Sequence, residues 1–322
     1  MSGFGDGVLE WLDKCIGQHY EKKAELGTAR RYQWNPRAGD VVVVGALKTG
    51  TTWMQQILHQ IRTRGQHTQF KDIYEVTWWL PHHYMPMPDG AFDGDQVAEP
   101  RIFKSHEVYD VLPQDRGVRY VVITRDPIDS YWSYVKFIGG FLSDPNQPQN
   151  TTQVSEDWLV DNVFNGPVGP YYNGPEEIPA SWIPQHGTNA NVLFVAYEDL
   201  KEDLSFCVSQ LADFVGVPLS ASDLDRVVSV CTFSYMRDHK DQFKGDADIF
   251  RLALGLDSSW RPGDGMVRPD GGTVGQGSQA FSPRAKHIIQ QRFHQYVTQP
   301  HGFLDYEQLR KHISILNRKT ES

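Results

Sequence analysis

The chain of 322 residues holds only three cysteines, Cys15, Cys207 and Cys231. Odd in number and far apart, they form neither a disulfide framework nor a zinc-ligand spacing, and they fit a reducing compartment. No apolar run approaches the roughly 20 residues that a membrane-crossing helix needs. The stretch Met1–Tyr20 carries acidic residues among its apolar ones and lacks the apolar core of a signal peptide. Positive charge is scarce too. With 31 Lys and Arg against 40 Asp and Glu, the formal net charge of −9 argues against a broad nucleic-acid or anionic-membrane surface. Internal repeats are absent. What is present suffices for a core: 39% hydrophobic residues and nine tryptophans predict a globular, cytoplasmic protein.

The most informative stretch is Gly45-Ala46-Leu47-Lys48-Thr49-Gly50-Thr51-Thr52-Trp53. Before it, Val41–Val44 is short and β-branched, the pattern of a buried strand. After it, Met54, Ile57, Leu58 and Ile61 recur at helical spacing. A strand, a tight glycine-bearing loop and a helix aim unpaired backbone N–H groups and the positive end of a helix dipole into one small space, which suits a phosphate. Lys48 adds a point charge, and Thr51 and Thr52 add hydroxyls at the first helical turn. A plain βα turn with a surface lysine is the alternative for this stretch alone.

The remaining chain alternates strands with helices. Val8, Leu9, Trp11, Leu12 and Ile16 predict an amphipathic helix near the start. Residues 64–100 read as irregular, with Trp78, Trp79 and Tyr84 in an aromatic cluster that either packs or walls a pocket for a flat organic molecule. Residues 101–106 form a short strand delivering Lys104 and His106 at its carboxyl end, where open α/β sheets place their ligand crevice. Tyr120–Thr124 is a buried strand, and Pro127 opens a helix behind it. Arg125 sits between the two, and Ser133 follows two turns on. Arg125 either grips a second phosphate or pairs with Asp126 or Asp129. Residues 139–190 read as an excursion covering the site, with a helical pattern at Trp158, Leu159, Val163 and Phe164. Val192–Val195 is a further strand closing with Tyr197-Glu198-Asp199-Leu200, and residues 201–242 read as helices. Ser282–Tyr296 predicts a helix led by Pro283. The fold class is α/β: one domain spanning residues 1–322, its central parallel sheet flanked by helices.

Assembled in order, these motifs resemble the cytosolic sulfotransferases over roughly residues 35–300. The resemblance implies a P-loop-like loop, Lys48, Thr49, Gly50, Thr51, Thr52 and Trp53, that binds the 5′-phosphosulfate of 3′-phosphoadenosine-5′-phosphosulfate (PAPS), the sulfuryl donor. It implies that Arg125 and Ser133 grip the 3′-phosphate, and that Lys104-Ser105-His106 carries the catalytic base. Tyr197 is implied to lie near the adenine together with Thr232, Phe233 and Met236. Four departures stand out. Leu47 replaces the proline usual before the loop lysine, and Cys231 replaces a common threonine. Pro269-Asp270 follow Arg268 where the family has lysine and glycine, and Gly275-Gln276-Gly277 replaces Gly-Asp-Trp. The resemblance then implies a lid that closes over the 3′-phosphate through Arg268 with one cation fewer. The family's dimerisation motif would fall at Ser278–His287, where its characteristic residues are missing, so oligomeric state stays open.

Sulfuryl transfer runs in line through a loose transition state, so positioning and charge stabilisation dominate. His106 suits the general base that takes the acceptor's proton. Lys48 stabilises the leaving phosphate, and Lys104 supports the sulfonate. The resemblance further implies that Ser133 restrains Lys48 until an acceptor binds. No metal is expected, since lysines and helix termini supply positive charge. Trp78, Trp79, Tyr84, Phe137 and Phe141 are candidate walls for a small-molecule acceptor carrying a hydroxyl or an amine. Two other readings remain: a P-loop nucleotide kinase or NTPase, although the lysine here precedes Gly50 rather than following a glycine, and a catalytically silent binding protein of the same fold.

Overall fold

The computed structural model describes residues 34–80, 90, 92–114, 117–141, 155–164, 173–244, 266–267 and 272–320. In chain order the principal elements are β1 (Val41–Val44), α1 (Thr51–Arg62), α2 (Ile73–Val76), β2 (Trp78–Trp79), β3 (Ile102–Ser105), β4 (Arg119–Thr124) and α3 (Pro127–Phe141). There follow α4 (Glu177–Trp182), β5 (Val192–Ala196), α5 (Tyr197–Glu202), α6 (Leu204–Val215), α7 (Ala221–Cys231) and α8 (Phe233–Asp238). The last are α9 (Gln276–Ala280), α10 (Pro283–Phe293) and α11 (Tyr306–Ile313). The amphipathic pattern near the start, Tyr84 and Arg268 lie outside the described residues.

The five strands form one sheet in the order β2-β3-β1-β4-β5, parallel throughout. Strands β1, β3 and β5 are wholly buried, and their unbroken apolar runs follow from helices covering both faces. On one face Val41, Val43, Ile102, Val121, Ile123 and Val195 pack against α1, α6 and α7. On the other, Val42, Val44, Phe103, Val122 and Phe194 meet Trp182 of α4, Phe293 at the end of α10, and Leu309 and Ile313 of α11. A separate cluster joins Tyr131, Tyr134 and Phe137 of α3 to Leu159, Val163, Phe281 and Ile289. At the amino end of the central strands, buried Arg101 makes a two-pronged contact with Asp40, at 2.9 Å from Nε and 2.6 Å from Nη2. The pair fixes the approach of β3 to β1.

Two expectations are corrected. Residues 64–100 are not irregular throughout, because α2 and the edge strand β2 lie within them. Helix α2 starts where Asp72 caps it by accepting from the Tyr74 N–H at 3.0 Å. Tyr197–Leu200 does not prolong the last strand either; it opens α5, with Ala196 as the residue before the first turn. The sheet places β1 between β3 and β4, so the chain reverses direction across the sheet at the carboxyl end of β1. A crevice is expected at such a switch point.

Candidate functional site

The loop from β1 to α1 is built by exclusion of side chains. A Cβ on Gly45 would stand 2.7 Å from Ile123 Cγ2 and 2.8 Å from the Ile123 carbonyl oxygen, so only glycine lets β1 turn here. Gly50, at φ 104°, takes a left-handed conformation ahead of α1 and lies against the Tyr197 ring. Lys48 is also left-handed, at φ 67°, which costs on the order of 1–3 kcal/mol in a non-glycine residue. That strained backbone aims its side chain. Lys48 Nζ lies 4.2 Å from the centre of the Phe137 ring and 3.5 Å from the Met266 carbonyl oxygen. No side chain caps the start of α1, where Thr51 and Thr52 begin the helix. Thr49 is used differently: its buried hydroxyl donates to the Ala46 carbonyl at 2.8 Å and closes the loop on itself.

The β3 end stands beside this loop. His106 is buried, and its Nδ1 lies 2.6 Å from the Gly45 carbonyl oxygen, which can only accept. The proton therefore belongs on Nδ1, leaving Nε2 as the basic nitrogen. Asn173 holds the backbone of the same residue by donating to the His106 carbonyl at 3.0 Å. Trp79 packs its ring edgewise to His106, with centroids 6.4 Å apart. Lys104 is buried, donates to the Tyr74 hydroxyl at 2.7 Å, and lies over the Tyr74 and Trp79 rings. Burial pulls its ammonium down to about 7, against a smaller upward pull from Asp72.

The third part gathers around Arg125. Its guanidinium lies 4.4 Å over the Tyr197 ring and donates to the carbonyls of Lys48 and Thr273 at 3.3 and 3.4 Å. It reaches Asp129 only at 3.9 Å, and its buried Nε has no hydrogen-bond partner among the described residues. The Asp129 carboxylate is engaged elsewhere, accepting from the N–H groups of Gly275 at 2.6 Å and Gly277 at 2.7 Å. This pins the segment before α9 across Arg125. Glycine is required at 277, where a Cβ would lie 2.5 Å from the Ile128 carbonyl oxygen. Trp53 donates to the Cys231 carbonyl at 2.6 Å and meets Tyr197 edge-on, which draws α7 to the loop. Thr232 caps α8 by accepting from Tyr235 N–H, while Phe233 lies against Gly272 and Met236 is buried. Burial raises the Tyr197 phenol above its ordinary value.

The structure thus brings together Lys48, Lys104, His106, Phe137 and Trp79 on one side, and Arg125, Tyr197, Trp53 and Phe233 on the other. Ser133 lies half-buried on α3. Trp78 does not join them. Alternate residues of a strand face opposite ways, so Trp79 pairs with Lys104 while Trp78 packs against Phe103 on the other face. Phe141 ends α3, and its side chain lies outside what the structure describes. One participant was missed in the sequence: Tyr74 falls in a stretch with no strong periodicity, where the cap Asp72 was its one local signal. Asp129 was read only as a possible ion-pair partner of Arg125, which it is at 3.9 Å; its hold on Gly275 and Gly277 was not legible. Among the described residues no helix is long and apolar enough to cross a membrane.

A family model described as a sulfotransferase domain matches residues 38–252 of the chain. Sulfotransferase 1E1 of Mus musculus is 27% identical over 243 residues, covering 73% of this chain and 76% of the relative. Sulfotransferase 2B1 of Homo sapiens is 29% identical over 251 residues, covering 73% and 64%. Among solved structures, retinol dehydratase in complex with androsterone and the inactive cofactor PAP aligns at a TM-score of 0.63 with 17% identity. That alignment covers 93% of this chain and 95% of the other, a likeness of fold.

Proposed function

The chain belongs to the sulfotransferase family, enzymes that transfer a sulfuryl group, and on that footing we propose that it moves this group from PAPS to a hydroxyl or amine of a small, largely apolar acceptor. The observation that carries the reading is the contact of His106 Nδ1 with the Gly45 carbonyl at 2.6 Å, which ties the base to the phosphate-binding loop. The donor is read from the loop and from the PAP bound by the structural neighbour. The residues fit it: the start of α1 has no side-chain cap, and Arg125 keeps a buried Nε without a partner among the described residues.

PAPS supplies a sulfuryl group already attached to a phosphate leaving group. The first-turn N–H groups of α1 with Lys48 hold the 5′-phosphate and stabilise negative charge on the bridging oxygen. His106 takes the acceptor's proton at Nε2, its ring held by Gly45. Lys104 faces the sulfonate. Arg125, Ser133 and Arg268 hold the 3′-phosphate, and Trp53, Tyr197, Thr232, Phe233 and Met236 enclose the adenine. Trp79 and Phe137, with Tyr84 and Phe141, bound the acceptor. We read the chain as a single domain acting in the cytoplasm.

The test is His106→Ala, assayed for sulfate transfer to a panel of phenols, sterols and amines, with PAP binding followed by calorimetry. Turnover is expected to vanish while PAP affinity stays within a few-fold. Loss of PAP binding would contradict the role given to His106. Tighter binding of ATP with magnesium than of PAP would instead favour the kinase reading.

A further inference from the structure

Lys104 is a buried cation whose company is unusual. No carboxylate lies within 4 Å of it among the described residues, and what it touches is a phenol. The Tyr74 hydroxyl is 2.7 Å from Nζ, and the ammonium also lies 5.2 Å from the centre of the same ring and 5.8 Å from that of Trp79. An ammonium has no acceptor capacity, so the phenol oxygen accepts. Tyr74 is itself fixed. It is 7% exposed, its N–H is held by the Asp72 cap at 3.0 Å, and its ring packs 6.4 Å from Trp79. Trp79 in turn flanks His106.

Resting on the reading of Lys104 as the support of the sulfonate, we propose that Tyr74 is a positioning residue for the reaction, its hydroxyl and ring face holding Lys104 in place and in its charged form. A carboxylate there would fix the lysine equally well, but it would cancel the charge that the sulfonate needs and repel the sulfonate itself. A phenol holds the ammonium by one hydrogen bond and by the negative face of its ring while leaving the site net positive. Among the described residues, the ionisable groups next to Lys104 are Asp72, which caps α2, Tyr74 within α2, and His106 two positions on from its own strand. Burial lowers the ammonium's pKa and Asp72 raises it; the phenol oxygen at 2.7 Å accepts a hydrogen bond that only the N–H groups of the lysine can donate.

The experiment is a double-mutant cycle of Tyr74→Phe and Lys104→Met on the full chain, with turnover, PAP affinity and melting temperature measured for each. Tyr74→Phe keeps the ring and removes the oxygen. It is expected to lower kcat about tenfold, the loss of one charge-assisted hydrogen bond, with PAP affinity within about twofold. The alkaline limb of kcat/KM for PAPS should move about one pH unit lower, because the acceptor that favours the ammonium has gone. In a Lys104→Met background Tyr74→Phe should change nothing further. Wild-type kcat and pH profile in Tyr74→Phe, or a tenfold loss that persists without Lys104, would overturn the proposal. So would a fall in PAP affinity as large as the fall in kcat. If Lys104→Met itself turns over normally, the role of Lys104 fails first and Tyr74 falls with it, which separates the two failures. Should Tyr74→Phe fail to fold, Tyr74→Met, which removes the ring as well as the oxygen, must lower kcat at least as much, with PAP affinity within about twofold and no further loss in the Lys104→Met background.

Discussion

Gly45→Ala tests the link between the phosphate-binding loop and the base with a single methyl group. Gly45 does not have a positive φ, so alanine suits its backbone and the effect is one of space. The added Cβ would meet Ile123 Cγ2 at 2.7 Å, the Ile123 carbonyl oxygen at 2.8 Å and Thr49 Oγ1 at 2.9 Å. Two of these three contacts are hard to relieve. The carbonyl belongs to the hydrogen-bonded ladder of β4, and the Thr49 hydroxyl closes the loop on Ala46. Reaching an ordinary contact distance requires about 0.7 Å of movement. The β1 end must shift, and the Gly45 carbonyl that orients His106 shifts with it. Overpacking of this kind costs about 1–3 kcal/mol, which for a chain of this size lowers Tm by roughly 2–4 °C. A displacement of several tenths of an ångström at reacting groups costs turnover about 10- to 100-fold. The assay is sulfate transfer at saturating PAPS alongside calorimetric melting. An alanine enzyme with native kcat and native Tm would refute the reasoning, since the base would then not depend on the loop carbonyl.

Four further outcomes follow from other contacts. Lys48→Ala should reduce kcat by about two to three orders of magnitude, read in single-turnover assays, because it removes the charge nearest the leaving oxygen. Arg125→Ala should weaken PAP binding at least tenfold in calorimetry with a smaller effect on kcat, and unchanged affinity would remove the 3′-phosphate assignment. Asp40→Ala should destabilise the fold by about 3–5 kcal/mol in denaturant melts by stranding the buried Arg101 charge. Lys104→Met should lower kcat by about two to three orders of magnitude, leaving a rate that single-turnover assays still measure, yet raise stability. The lysine's folded value of about 7 lies below its ordinary 10.5, so folding carries a penalty that is full below pH 7 and disappears above 10.5. The gain in Tm should therefore be largest at pH 7 and below and shrink as pH rises to 10.5.

Much of the scaffold was legible because the strongest strands are short apolar runs rich in β-branched or aromatic residues, each followed in the chain by a helix. Val41–Val44, Tyr120–Thr124 and Val192–Val195 all fall on strands, and Pro283 does open a helix behind the Ser282 cap. Strand β2 escaped because two residues cannot show a period; only its register with Phe103 and Lys104 defines it. That omission mattered for the site, since the two-residue period of a strand is what sends Trp79 inward and Trp78 away. The contacts from Tyr74 to Lys104, across 30 positions, and from Asp129 to Gly275, across 146, are tertiary, and no local pattern encodes them. The same holds for Gly45. Its presence in a glycine-bearing loop was plain, whereas its crowding against Ile123 depends on the pairing of β1 with β4.

The three cations assigned to the anion share a mode of support. Lys48 lies over Phe137, Lys104 over Tyr74 and Trp79, and Arg125 over Tyr197, and the hydrogen bonds described for them run to carbonyls and a phenol. Arg101, at the opposite end of the same strands, is instead neutralised by Asp40 through two short bonds. The contrast has a physical reason. A buried cation paired with a carboxylate is stable but electrically spent, whereas one held by ring faces and dipoles keeps its field for a ligand. In a chain of formal charge −9, an anion as highly charged as a phosphosulfate is repelled at long range. Local positive potential must overcome that repulsion, and it survives only where acidic partners are kept at a distance. Arg125 is the partial exception: the buried Asp129 carboxylate stands 3.9 Å from its guanidinium as a long ion pair while also accepting from the N–H groups of Gly275 and Gly277.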